Sequence, residues 1–184
     1  MVRTRNRVRG EFLEHELEVT RFRLALVEAC KNNDDYSLKG WRNKEELKLK
    51  KGNISYGEKI RERGKSIILI LDAYFVLHTP KGIAHFFLEI DRYTETASKV
   101  FRRKMNGYKI YFERGLFRDR FGGKNFRVLT VTTNSTRLKS IIKVTGELGL
   151  GIVYWFTTSN VITPETILGD IWVRADMQGD LMAL

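Results

Sequence analysis

Two apolar runs set five residues apart constrain this chain more than any other feature. The first is Ile67 to Leu77, the second Ile83 to Asp91, and His78-Thr79-Pro80-Lys81-Gly82 between them has turn composition. The pattern predicts a β-hairpin. A turn centred on Pro80 and Lys81 pairs Thr79 with Gly82 and sets Asp72 opposite Glu89. Asp91 follows two residues later on the same face, because strand side chains alternate. Ala84, Phe86, Leu88 and Ile90 are all apolar, as are the odd positions from Ile67 to Leu77, so these are expected to face a core. The carboxylates then share the other face.

Two carboxylates directly across a ladder repel by a few tenths to about 1 kcal/mol. Two remedies stay open. A hard divalent cation such as Mg²⁺ or Mn²⁺ takes carboxylate oxygens and keeps waters, and such a water suits attack on a phosphodiester. Alternatively an arginine such as Arg92 neutralises a solvent-facing pair, or the register slips by one and separates the acids.

The remaining elements follow from periodicity. Residues 11–31 read as a helix with Leu13, Leu17, Leu24 and Val27 in one stripe, widened by Phe22, Leu26 and Cys30. Residues 36–42 suggest a short strand. Residues 43–66 are charged and aperiodic and read as a loop, with room for a short helix, either solvated or in contact with a polyanion. A second helix is expected over 96–114 on Phe101, Met105, Tyr108 and Phe112. A loop over 115–124, a strand over 126–132, a helix over 136–148 capped by Asn134 or Ser135, and a strand over 152–157 come next. The tail from Ile162 is expected to be irregular and anchored by Trp172. Strand–helix–strand alternation in the second half implies parallel pairing through right-handed crossovers. The fold class is therefore α/β, a mixed central sheet flanked by helices.

The 184 residues are 42% hydrophobic, enough for one domain with a core over residues 11–184, behind a basic arm at residues 1–10 holding Arg3, Arg5, Arg7 and Arg9. Lys and Arg number 33 against 22 Asp and Glu, a net charge of +11 that favours a polyanionic partner through counterion release. The single cysteine, Cys30, excludes a disulfide framework and a thiolate zinc site. No run has the length of a membrane helix and no signal peptide is recognisable, so a cytoplasmic location is expected.

Lys104 lies beside the buried stripe of the second helix. It either snorkels to solvent or reaches toward Glu89 and Asp91, where it would stabilise a phosphate or position water. Arg102, Arg103 and Lys109 flank it and, with Tyr108, Tyr111 and Phe112, form either a strand-binding groove with stacking rings or a basic rim over core aromatics; Arg118, Arg120 and Lys124 form a second basic cluster, where phosphate contact without base specificity is expected. His85 shares the face of Glu89 and reads as packed; His15 sits among Glu14, Glu16 and Glu18 on a charged helix face.

A helix, a hairpin carrying Asp and Glu, a helix and a strand resemble the core of the PD-(D/E)XK restriction-endonuclease-like superfamily. The resemblance implies Asp72 and Glu89 as the metal-binding pair, with Asp91 standing where the motif lysine belongs and Lys104 as a migrated lysine on the following helix. His15-Glu16-Leu17, Leu71-Asp72-Ala73, Phe87 to Arg92 with Thr94 and Glu95, Lys104, Tyr108, Val128 to Thr132 and Arg137 resemble the replication-relaxation family of plasmid and mobile-element proteins over roughly residues 11–175. That resemblance implies DNA as partner, with other replication proteins or a second copy of the chain as further partners. It implies a role in plasmid replication and DNA relaxation, as a Mg²⁺-dependent nuclease or nickase with Asp72, Glu89, Asp91 and Lys104 as site residues, or as an inactive DNA-binding accessory on the same scaffold. Family members usually carry an N-terminal winged helix, which this chain lacks.

Overall fold

A computed structural model describes residues 2–51, 54–56, 58–62, 65–92, 97–149, 151–177 and 180–184. The chain runs α1 (Val2–Lys31), β1 (Ser37–Asn43), α2 (Lys44–Leu47), β2 (Leu49–Lys51), β3 (Ile54–Tyr56), β4 (Glu58–Glu62), β5 (Lys65–Leu69), β6 (Ala73–Thr79), β7 (Gly82–Asp91), α3 (Ala97–Glu113), α4 (Leu116–Phe121), β8 (Arg127–Thr132), α5 (Ser135–Gly146), β9 (Tyr154–Thr158), β10 (Trp172–Arg174) and β11 (Leu181–Met182). The central sheet has the order β1-β6-β7-β8-β9-β10-β11. β1, β6 and β7 form an antiparallel meander, and β7, β8 and β9 run parallel, so the sheet is mixed. No helix among the described residues is long and apolar enough to cross a membrane.

The hairpin register is the expected one. Thr79 pairs with Gly82 and Ala73 with Leu88, around a two-residue turn whose closing Gly82 has φ 108°, a conformation that favours glycine. The two apolar runs are nevertheless not two simple strands. β5 pairs with β4 in a separate ribbon, and the chain breaks at Ile70–Asp72 before β6 enters the sheet. Asp72 therefore stands at the mouth of β6, just before the ladder begins.

Both faces of the sheet are covered. On one, Phe22 and Leu26 of α1 pack on Ala73, Phe75, Leu77, Phe86, Leu88 and Trp155, with Trp172 fully buried beside them. On the other, α3, α4 and α5 cover Tyr74, Phe87, Val128, Tyr154 and Phe156. The face expected to carry the carboxylates thus lies under α3 and α5 and is not solvent-facing at Glu89. Fully buried Phe86 and Phe87 on successive positions show why the second run is nearly continuous in apolar residues: a strand sandwiched between helices buries both sides.

Four local expectations need correction. The helix expected over 11–31 begins at Val2, so the basic arm over 1–10 is the first part of α1. The leucines of the expected stripe face outward: Leu13, Leu17 and Leu24 are 60%, 45% and 63% exposed, while Phe22 and Leu26, expected to widen it, are buried against the sheet with Val19, Ala25 and Ala29, and Cys30 packs beside them. Small Ala25 and Ala29 beside Phe22 and Leu26 let the helix axis approach the strands closely, which bulky leucines would prevent. The stretch 43–66, expected as a loop with room for a short helix, holds that helix as α2 and also strands β2 to β4. α2 starts at a capping box in which the Asn43 side chain accepts from the Glu46 amide and the Glu46 carboxylate accepts from the Asn43 amide. The expected loop over 115–124 contains α4, closed at Gly122 with φ 73°.

α3 covers its stripe of Phe101, Met105 and Tyr108 as expected, and Asn134 caps α5 by accepting from the Arg137 amide. Gly107 lets β5 approach α3; a Cβ there would stand 3.2 Å from the Ile67 methyl.

Candidate functional site

The end of β7 carries three carboxylate partners in a short space. Glu89 points beneath α3 and is 3% exposed; its two oxygens accept from the Lys104 ammonium and the Tyr108 hydroxyl, one turn apart on that helix. Asp72, 6% exposed, accepts from the Ile90 amide at 3.0 Å and from His15 Nε2 of α1 at 3.1 Å, both on Oδ2. Asp91 is gripped by the buried Arg137 guanidinium, with Nε 2.6 Å from Oδ2 and an NH2 group 2.9 Å from Oδ1, and Thr132 donates to it as well. Arg137 reaches it because the Asn134 cap starts α5 immediately after β8, at the same end of the parallel strands.

Electrostatics separates these acids. Burial works against a charged Asp72, but Lys104, the His15 hydrogen bond and the Ile90 N–H outweigh it and hold its carboxyl well below the usual range. Burial pushes Glu89 up to about 8; Lys104 opposes that rise and the neighbouring Asp72 charge adds to it. Burial also works against the Lys104 ammonium, yet Glu89 and Asp72 raise its pKa on balance. The Asp72 hydrogen bond raises His15, against desolvation. Tyr108 is pushed well up by burial and by Glu89. The Lys104 side chain is 26% exposed, so the cluster opens to solvent along that side.

Asp72, Glu89 and Lys104 therefore come together from three elements. Asp91 stands beside them with its oxygens committed to Arg137. Arg92 pairs with Glu14 of α1 and does not bridge the acids. The residues expected at nucleic acid lie in two groups, Arg102, Arg103 and Lys109 on α3, and Arg118, Arg120 and Lys124 on and just after α4. Arg102 pairs with Glu147, and Arg103 donates to the Ser66 carbonyl at 2.8 Å. Lys109 donates to the Leu148 carbonyl at 2.7 Å. Arg118 and Arg120 lie on α4, where the Arg120 guanidinium sits over Phe121 at 5.2 Å. Lys124 lines a cavity of about 410 Å³ with His85, Phe126 and Arg127, near the hairpin turn. Six residues of β7 separate that cavity from Asp91, about 20 Å at strand rise. His85 shares a 2.7 Å hydrogen bond with the Tyr74 hydroxyl and stacks on its ring, a packed histidine as expected. Thr94 and Glu95 lie outside the described residues.

His15 and Arg137 are the partners that residue-by-residue reading left unassigned. Neither has a local signal: 57 residues separate His15 from Asp72, and 46 separate Arg137 from Asp91. Tyr108 had one, its four-residue spacing from Lys104.

The profile of the replication-relaxation family matches residues 1–125, from α1 through α4 and so including His15, Asp72, Glu89 and Lys104. The chain belongs to the replication-relaxation family. No curated protein and no solved structure matches it. Replication-relaxation membership associates the chain with replication and relaxation of mobile elements.

The nuclease resemblance implies a divalent ion at this site. Asp72, just before β6, and Glu89, on β7, are buried carboxylates and so hard oxygen donors, and Mg²⁺ commonly takes one or two such groups, with water and phosphate completing its shell. Among the described residues no group of three His, Cys, Asp or Glu side chains is arranged around a metal position. A divalent ion here would rest on Asp72 and Glu89 alone.

Proposed function

We propose that the chain acts on the DNA of mobile elements as a phosphodiester-cleaving enzyme, a nuclease or nickase with a PD-(D/E)XK-like core, and that Asp72, Glu89 and Lys104 form its site. The observation that carries the reading is the meeting of these three side chains in one buried spot at the mouth of β6 and the end of β7. Packing gives no reason for it: apolar side chains of the same volume would avoid the desolvation of three charged groups. The order of helix, antiparallel meander, covering helix and parallel strand supports the same reading.

A divalent cation bound by Asp72 and Glu89 would supply Lewis-acid polarisation of the phosphate and an activated water. The chain's own groups do the rest. His15 and the Ile90 amide hold Asp72 ionised and fix its carboxylate against the β7 backbone. Tyr108 orients Glu89, and the Lys104 ammonium, partly exposed and next to both acids, is placed to meet a phosphate oxygen.

A second reading rests on Asp91. It stands where the motif lysine belongs and is locked by Arg137, which favours a scaffold that binds DNA without cutting it. The experiment that separates the two is incubation of the purified protein with supercoiled, linear and single-stranded DNA in Mg²⁺ and in Mn²⁺. Cleavage that disappears in Asp72→Asn and Glu89→Gln proteins, with DNA binding retained, supports the enzyme. Salt-sensitive binding with no cleavage of any form in either ion removes it and leaves the scaffold.

A further inference from the structure

α1 buries one face on the sheet, and its second apolar face has no cover among the described residues. Leu13, Leu17, Thr20, Leu24 and Val27 alternate by four and three residues, the spacing of a coiled-coil seam, and Leu13, Leu17, Thr20 and Leu24 are exposed. The buried residues Phe22 and Ala29 fall directly opposite this seam, so packing on the sheet does not compete with it. Apolar stripes on both sides explain why the helix is barely amphipathic and why its periodicity misassigned the core face.

The charges beside the seam select the partner. With Leu17 and Leu24 at a and Leu13, Thr20 and Val27 at d, Glu16 and Arg23 occupy g, and Arg21 and Glu28 occupy e. In a parallel pair of identical helices a g residue meets the partner's e residue five positions on. Glu16 then meets Arg21, and Arg23 meets Glu28; both contacts are attractive. An antiparallel pair that layers Leu17 on Thr20 also matches charges, Glu14 with Arg21 and Glu16 with Arg23, but it sets Val27 against Gly10 and so loses an apolar layer that the parallel pair keeps. The intrachain contacts that compete are the helix pairs Arg21 with Glu18 and Lys31 with Glu28, which contribute little, His15 with Glu16 at 3.5 Å, and the Arg23 guanidinium over the Trp41 ring at 5.4 Å.

From this we infer that α1 is a dimerisation helix, and that its outer face takes α1 of a second copy of this chain, in parallel and in register. A two-fold axis running along the helices keeps both Asp72–Glu89 clusters at the same end of the dimer. The inference does not depend on whether those clusters cleave DNA.

Sedimentation of the full chain tests it. The expected result is self-association to twice 21.5 kDa across the micromolar range, lost in the Leu17→Glu/Leu24→Glu protein, whose circular dichroism stays that of the wild type because both side chains are exposed, while the melting temperature rises with concentration in the wild type alone. Glu16→Arg and Arg21→Glu should each weaken the dimer by about tenfold, since each turns two symmetry-related attractions into repulsions, and an equimolar mixture should restore it. Leu13→Cys in a Cys30→Ser background should cross-link with itself on oxidation, which an antiparallel pair would not do. A monomer at every concentration, a dimer indifferent to the leucine substitutions, or a mixture no tighter than its components would each overturn the proposal.

Discussion

The two ends of β7 hold ionisable groups in opposite ways. At the turn end His85 is surrounded by Tyr74 and Phe117, shares one hydrogen bond, and is pushed down by burial toward the neutral form. At the other end His15 meets a buried carboxylate and is pushed up toward the charged form. The first end is packing: aromatic rings in contact, with a polar atom satisfied. The second keeps carboxylates and an arginine out of water where hydrophobic side chains would fit, with a half-buried lysine at its edge. Desolvated charge that the fold does not need is the stronger mark of function.

Substitutions at the two ends should therefore differ in kind. The largest effect is expected on activity. Under the proposed function Lys104→Ala lowers the initial rate of plasmid nicking by about a hundredfold or more, in the range for removing a charge that meets the transition state, with the urea midpoint little changed because the side chain is partly exposed. A nicking rate that tracks stability would dissolve the distinction between the ends.

Next in size is the pair next to the site. Asp91→Ala leaves the Arg137 guanidinium buried without its partner and should cost about 3–5 kcal/mol in urea unfolding. Asp91→Leu with Arg137→Met should recover most of that loss, which marks the pair as structural and separates Asp91 from Glu89.

At the packed end, Gly123→Ala places a methyl 2.7 Å from both His85 Nε2 and the Phe117 ring, and overpacking of this kind costs about 1–3 kcal/mol. Chemical denaturation should show the loss, with nicking by the folded fraction unaffected.

The smallest effect is on pH dependence. His15 has a raised folded pKa, so its contribution is complete below 6.5 and fades as pH rises through the folded value. Glu89 is raised from 4.5 to about 8, so the folded state binds the extra proton across that window and stability again falls as pH rises. Asp72, being lowered, has the opposite sign: its contribution is present above 3.8 and lost only in strong acid. Melting temperature should therefore decline from pH 6 to pH 9, and His15→Gln and Glu89→Gln should each flatten the decline. His85→Gln should act the other way: its folded pKa is lowered, so its titration raises stability as pH climbs through 6.5, and its loss steepens the acid end of the decline; a flattening there would break the contrast between the ends.

Much of the site was legible before any coordinates. The hairpin turn fixed its own register, because Pro80-Lys81 before Gly82 admits few geometries, and register placed Asp72 near Glu89. The spacing of Phe101, Met105 and Tyr108 located Lys104 beside the acid. The stretch 43–66 failed because short ribbon strands rich in charge carry no two-residue hydrophobic alternation, and the α1 stripe failed because two apolar faces give periodicity no preferred side.

Local patterns thus determined the mixed α/β sheet, the hairpin and the pairing of carboxylates, since each depends on residues within a turn or a strand of one another. Tertiary structure decided which face of α1 meets the sheet, that β5 leaves the central sheet, and that His15 and Arg137 divide the acids between them. Those outcomes depend on helices approaching from opposite sides of the sheet, and no spacing along the chain encodes the distance between groups that only packing brings together.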